Sequence, residues 1–135
     1  MTSPYDDPGA LLALETELAE LLGCHPSQLP RDERGDFEVM GQVEGCSIRL
    51  VQHVGRHFVQ VEALCASPLS ATPAALAEVN LINAELPGAR VFVVDDVFTV
   101  CAELPLSALG TGELWRAIRM VTEVVLAPAF FRGSV

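Results

Sequence analysis

The residues in this chain with catalytic or metal-binding side chains are few and loosely spaced. His53 and His57 flank a predicted hairpin turn. Two histidines so placed suggest a metal, but no acidic residue stands beside them, and zinc requires three or four ligands. The simpler reading is a pair of surface hairpin histidines. His25 follows Cys24 in a loop bounded by prolines, with Asp32 and Glu33 downstream, a second small cluster that reads more simply as loop surface. Asp95-Asp96 offers adjacent carboxylates for acid–base work or magnesium. Between two apolar runs, however, such a pair is the usual chemistry of a turn. The four cysteines, at 24, 46, 65 and 101, show no CxxC spacing and read as small apolar core residues. No GxSxG, P-loop, HExxH or glycine-rich phosphate cradle is present. The residues therefore give an expectation of no catalytic set, no metal and no cofactor.

Charge narrows the partner class. The chain has 135 residues and a formal net charge of −10, with 18 acidic side chains against 8 basic ones, all arginine. Such a surface repels phosphate backbones and anionic lipid headgroups, so nucleic acid and membrane are excluded as partners. The amino-terminal MTSPYDDPGALL has no basic leader region, and no stretch reaches the roughly 20 apolar residues of a spanning helix. A cytoplasmic protein is expected. The lack of lysine, with abundant Ala, Val, Leu and Gly, fits a GC-rich bacterial genome.

Half the residues are hydrophobic and fall in short periodic blocks, as one folded domain of this length requires. Residues 1–7 read as a disordered lead, 8–127 as the domain and 128–135 as a tail carrying Phe130 and Phe131. From Pro8 or Gly9 to Leu22 the stripe Leu11, Leu14, Leu18, Leu21 predicts a helix, capped by Asp6 or Asp7 and stopped by Gly23. A polar loop, 24–35, leads to three alternating runs, Asp36–Val43, Cys46–His53 and Arg56–Leu64. Two-residue turns at Glu44-Gly45 and Val54-Gly55 separate them. This is a meander with one buried face, whose wet face keeps Met40, Val51 and Phe58.

After a loop, Thr72 and Pro73 predict a second helix start, with Leu76, Val79, Ile82 and Leu86 as its stripe and Pro87-Gly88 as its stop. Val91–Val94 is apolar throughout, which predicts cover on both faces. Val97–Leu104 alternates, with Phe98, Val100, Ala102 and Leu104 inward. Thr111 then caps a third helix containing Leu114, Trp115, Ile118, Val121 and Val125, with Trp115 read as core and Pro128 as the end. The order is α-β-β-β-α-β-β-α. The expected fold is α+β, a five-stranded antiparallel sheet with helices mainly on one face.

Asn80 and Asn83 are the least expected residues, because asparagine is a poor helix former and these two lie on or beside an apolar stripe. Buried amides must be hydrogen-bonded, so they are expected to pin the helix to neighbouring backbone or to a partner. The segment LAEVNLINAELPGARVFVVDDVFTVCAELPL resembles that of YbjN-type domains, with Asn80 and Asn83 matching an N-x-x-N pair, Arg90–Val94 the following strand and Leu104-Pro105 the Leu-Pro end. The element order over 8–127 is also similar to that of type III secretion chaperones. The resemblance implies a small acidic homodimer that binds protein or peptide segments without catalysis, as chaperone or regulator. YbjN-like proteins also carry the label of sensory transduction regulators.

Under that resemblance the second helix and adjacent strand would form the dimer contact, through Leu76, Val79, Asn80, Asn83, Val91 and Val93. Met40, Val51 and Phe58 would face the partner. Two rival readings stand beside it. One is a small α+β enzyme or ligand-binding domain with a pocket between sheet and helices, drawing on Cys24, His25, His53 and His57. The other is a structural subunit whose apolar surface is buried in a fixed complex.

Overall fold

The structure, a computed structural model, describes residues 7–40, 45–64, 73–85, 88–94 and 97–126. Its elements follow the expected order: α1 (Pro8–Leu22), β1 (Phe37–Met40), β2 (Gly45–His53), β3 (Arg56–Leu64), α2 (Pro73–Glu85), β4 (Ala89–Val94), β5 (Val97–Pro105) and α3 (Glu113–Leu126). The strands form one antiparallel sheet in the order β1-β2-β3-β5-β4. The expectations for Thr72, Pro87, Asp95-Asp96, Cys65, Glu44, Leu86, Pro128, Phe130 and Phe131 lie outside the described residues, as do 1–6 and the tail 128–135.

The alternation in each strand sets the layers. Phe37 and Val39 pair across to Ile48 and Cys46, Ile48 to Val61, Val61 to Ala102, and Ala102 to Ala89. These side chains all point to one face and are buried. Leu14 and Leu18 of α1, Ala75 and Val79 of α2, and Leu114, Ala117, Ile118 and Val121 of α3 join them in one apolar cluster. The helices thus cover one face of the sheet, and among the described residues no helix lies on the other, here called the open face.

Local chemistry explains the boundaries. Asp7 Oδ1 accepts the N–H groups of Gly9 and Ala10, capping α1, and Gly23 ends that helix in the left-handed region at φ 66°. Val54 and Gly55 form the tight β2–β3 turn at φ 51° and 74°. Both signs match the two-residue hairpin turn whose twist suits the strands.

Three expectations are corrected. Val91–Val94 is not covered on both faces: Val91 is buried, but Phe92 is 39 % exposed on the open side. The run is apolar because core and open face each present apolar residues there. Trp115 is not core but 48 % exposed. At 100° per residue, Leu114, Ala117, Ile118 and Val121 complete the inward stripe and leave Trp115 on its flank. The helix stripes also differ from expectation: Leu21 is exposed, its place on α1 taken by Ala10 and Ala19 beside Leu14 and Leu18, and Leu76 is exposed on α2, where Ala75 faces inward with Val79.

Candidate functional site

The open sheet face is a layered surface. Across one end Val51 pairs with Phe58 and Phe58 with Pro105, an apolar band. Next along the strands come Arg49, Gln60 and Glu103, then Glu38, Ser47, Glu62, Cys101 and Arg90. The far end carries Met40, Gly45, Thr99 and Phe92. An apolar band at one end, and the exposed Met40 and Phe92 on the two edge strands at the other, therefore bracket a polar middle, with Thr99 buried between them. Val51 and Phe58 are brought together as cross-strand neighbours, with His53 tilted against the Phe58 ring at 5.7 Å. Met40, 74 % exposed, shares their face but stands at the opposite end. At about 3.3 Å per residue, the six residues from Gly45 to Val51 separate the two ends by about 20 Å.

The polar middle is tied by charge. The Arg49 guanidinium lies between Asp36, 3.5 Å from Nε, and Glu62, 3.6 Å from Nη2. Nε is buried and makes no hydrogen bond among the described residues, so this pair is held by charge rather than by a directed bond. Burial first, then the Glu62 and Glu103 carboxylates, push the Cys101 thiol up to about 11. Burial alone does the same to Cys46, also to about 11. Both are neutral thiols near pH 7, packed as small apolar groups rather than poised as nucleophiles.

A second surface runs along α2. Asn83 binds the outer edge of β4: its amide nitrogen donates to the Val91 carbonyl at 2.9 Å, and its carbonyl oxygen accepts the Val91 N–H at 2.6 Å. The side chain thus takes the place of a neighbouring strand at the middle of an edge. It pins α2 against β4, the role expected of it toward backbone. Asn80 is exposed, as is Leu76, and Leu81 is 61 % exposed on the same helix. Val79 and Val91 are buried in the protomer's own core, and Val93 packs against that core half-buried.

The histidines do not converge. His53 lies on the open face, 3.5 Å from Glu103, whereas His57 lies on the helix-covered face, 3.8 Å from Asp7. Successive positions of β2 and β3 send them to opposite sides. His25 Nδ1 accepts the Ser27 N–H in a capping box around the 3-10 turn Pro26–Gln28. Among the described residues no cluster of three metal-ligating side chains forms. The enzyme or ligand-pocket reading thereby loses the convergence it needed. Among the described residues two shallow clefts stand out. One, of about 430 Å³, is lined by Arg31, Asp32, Glu33, Arg34 and Glu38. The other, of about 350 Å³, is lined by Asn83, Arg90, Cys101 and Glu103 with Gly88 and Ala89. Both are charged rims of the open face and not enclosed pockets between sheet and helices.

Sequence reading missed Phe92 and Leu81. Phe92 alternates out of phase with Val91 and Val93, a period-2 signal present within the apolar run. Leu81 falls off the stripe formed by Val79 and Ile82. No helix among the described residues is long and apolar enough to cross a membrane.

With this geometry in hand, comparison with known proteins is informative. Residues 12–127 match the family TY-Chap1, described as T3SS (YopN, CesT) and YbjN peptide-binding chaperone 1. No curated protein matches. The fold is similar to that of the type III secretion chaperone SycH of Yersinia pestis, solved in complex with a stable fragment of YscM2. Its TM-score is 0.65 at 15 % identity, over 87 % of this chain and 97 % of that one. It is similar also to the HopA1–SchA chaperone–effector complex, with a TM-score of 0.61 at 17 % identity over 86 % and 92 % of the two chains. E. coli YbjN matches with a TM-score of 0.57 at 16 % identity, over 86 % and 88 %.

Proposed function

The chain belongs to the TY-Chap1 family of T3SS and YbjN peptide-binding chaperones, and on that premise we propose that it is a non-catalytic module that holds an extended segment of another protein on its open sheet face. The observation that carries this reading is the uncovered face itself. Helices bury one side of all five strands, while Val51, Phe58, Met40 and Phe92 remain on the other with nothing among the described residues laid over them as a layer. Extended segments bind such surfaces by laying alternate side chains into apolar sites. A cytoplasmic location is part of the same proposal.

The test is affinity selection from a random-peptide display library, run in parallel on the wild type and on a Val51→Ser/Phe58→Ser variant. Both positions are half-buried on the open face, so the variant is expected to keep its circular dichroism spectrum. Peptides enriched by the wild type and lost by a folded variant support the reading. Equal enrichment by both would move the binding surface elsewhere.

The homodimer expected from the family resemblance has its best support along α2. Leu76, Asn80 and Leu81 are exposed there. Val79, Asn83, Val91 and Val93 lie beneath or beside them, supporting that surface from within the protomer. Val79, at 7 % exposure, is a poor probe because an aspartate there would unfold the protein. Leu81→Asp is the cleaner change: a shift from dimer to monomer mass in light scattering is expected, and an unchanged dimer would remove α2 from the contact.

A further inference from the structure

The spacing and charge of the open face specify more than a generic peptide. Resting on the peptide-binding reading above, we propose that the preferred occupant is an extended basic segment of the pattern apolar-x-basic-x-basic-x-apolar, laid along β3 and β5. An extended chain turns every second side chain to the same side, with a rise close to that of the strands beneath it. A segment whose first apolar residue sits over Phe58 and Pro105 therefore brings its third over Gln60 and Glu103. Its fifth then lies over Glu62 and Cys101, and its seventh reaches the end of the sheet where Phe92 is exposed beside the buried Thr99.

Charge sets the identity of the third and fifth residues. On the open face and its β1 margin, Asp36, Glu38, Glu62 and Glu103 stand against Arg49, Arg56 and Arg90, an excess of one negative charge, and Arg56 lies at the apolar end beyond Phe58, away from the polar middle. Arg49 is already held by Asp36 and Glu62, and Arg90 lies on the edge strand, two strands from Glu62. Among the described residues the ion-pair partner of Glu103 is a histidine, His53, and Glu38 is exposed on a rim where Arg31 and Arg34 balance Asp32 and Glu33, which leaves the charge of Glu38 uncompensated there. The chain as a whole, at −10, adds a long-range field of the same sign. An acidic segment would meet repulsion at both central positions. The apolar ends supply contact area, and the carboxylates select sign and register.

Four synthetic peptides test this by fluorescence anisotropy against the wild-type protein. One carries leucines at the first and seventh positions with arginines at the third and fifth. A second replaces the arginines with glutamates, and a third keeps the arginines but moves the second leucine one residue. The fourth is a peptide recovered from the unbiased library. The basic, correctly spaced peptide is expected to bind about tenfold more tightly than the acidic one, a difference of about 1.4 kcal/mol shared by the two changed positions. That advantage should shrink at high salt and fall in a Glu62→Gln/Glu103→Gln variant. The displaced leucine should weaken binding, because it turns the anchor away from the sheet. Acidic and basic peptides binding alike, or indifference to leucine spacing, would overturn the proposal while the library peptide still binds at Val51 and Phe58. Failure of all four peptides would overturn both the proposal and the reading beneath it.

Discussion

Asn83 offers a quantitative test of how the fold is held, because its neighbour in the motif is a built-in control. Its side chain makes two hydrogen bonds to Val91, at 2.9 and 2.6 Å, in a part-buried position on the sheet edge. A net contribution of about 0.5–1.5 kcal/mol for each bond gives a clamp worth about 1–3 kcal/mol. Replacing asparagine by alanine inside a helix also restores up to about 0.7 kcal/mol of helix propensity, which partly masks the loss. Asn80→Ala, on the same helix and exposed, carries that propensity gain without the clamp. The difference between Asn83→Ala and Asn80→Ala therefore isolates the clamp and is expected to be about 2 kcal/mol. With a urea slope of about 2 kcal/mol/M, the midpoint of Asn83→Ala should lie about 1 M below that of Asn80→Ala. Unfolding followed by circular dichroism at two protein concentrations separates this from any association through α2. Midpoints for the two variants within about 0.2 M of each other would refute the clamp as a stabilising contact.

Two further outcomes follow from particular residues. Val54 is a fully exposed β-branched residue held at φ 51°, a conformation that asparagine tolerates better. Val54→Asn should raise stability by about 1 kcal/mol, and a lower thermal midpoint would contradict the turn assignment. Cys46 and Cys101 are raised from 9.0 to about 11, so at pH 8 only about one thiol in a thousand is ionised at each. Alkylation mapped by mass spectrometry should leave both unmodified until urea is added. Since the unfolded chain releases those protons at lower pH than the folded one, stability should fall as pH rises from about 9 to about 11. A flat profile there would count against their burial.

Much of the architecture was legible because period-2 and period-3.6 patterns are direct consequences of one-sided burial. Strands β2, β3 and β5 and the start and stop of α1 followed from alternation, Asp7 and Gly23. What failed did so for identifiable reasons. The β4 run hides its alternation because valine and phenylalanine are both apolar, so Phe92 on the open face looks like Val91 in the core. Trp115 was placed inward by its size, whereas its angular position on α3 puts it beside the stripe. On α2, alanines and leucines surround much of the helix, and sequence could not tell that Val79 faces the core while Leu81 does not. Of the expected partner residues, the Val51–Phe58 pairing was implicit in the hairpin register, but the distance from them to Met40 required the whole sheet. Asn83 was flagged by chemistry alone, and its target, Val91, lay eight residues on across a turn.

Chemical-shift mapping with a peptide selected from the unbiased library tests the central claim most directly. The amides of Val51, Phe58, Gln60, Glu62 and Phe92 and the methyls of Val51 should shift together on titration, while the amides and methyls of Leu14, Leu18 and Val121 under the helices stay unmoved. Shifts confined to the outer surfaces of α1 and α3, with the open sheet face silent, would contradict the assignment of that face as the peptide-binding surface.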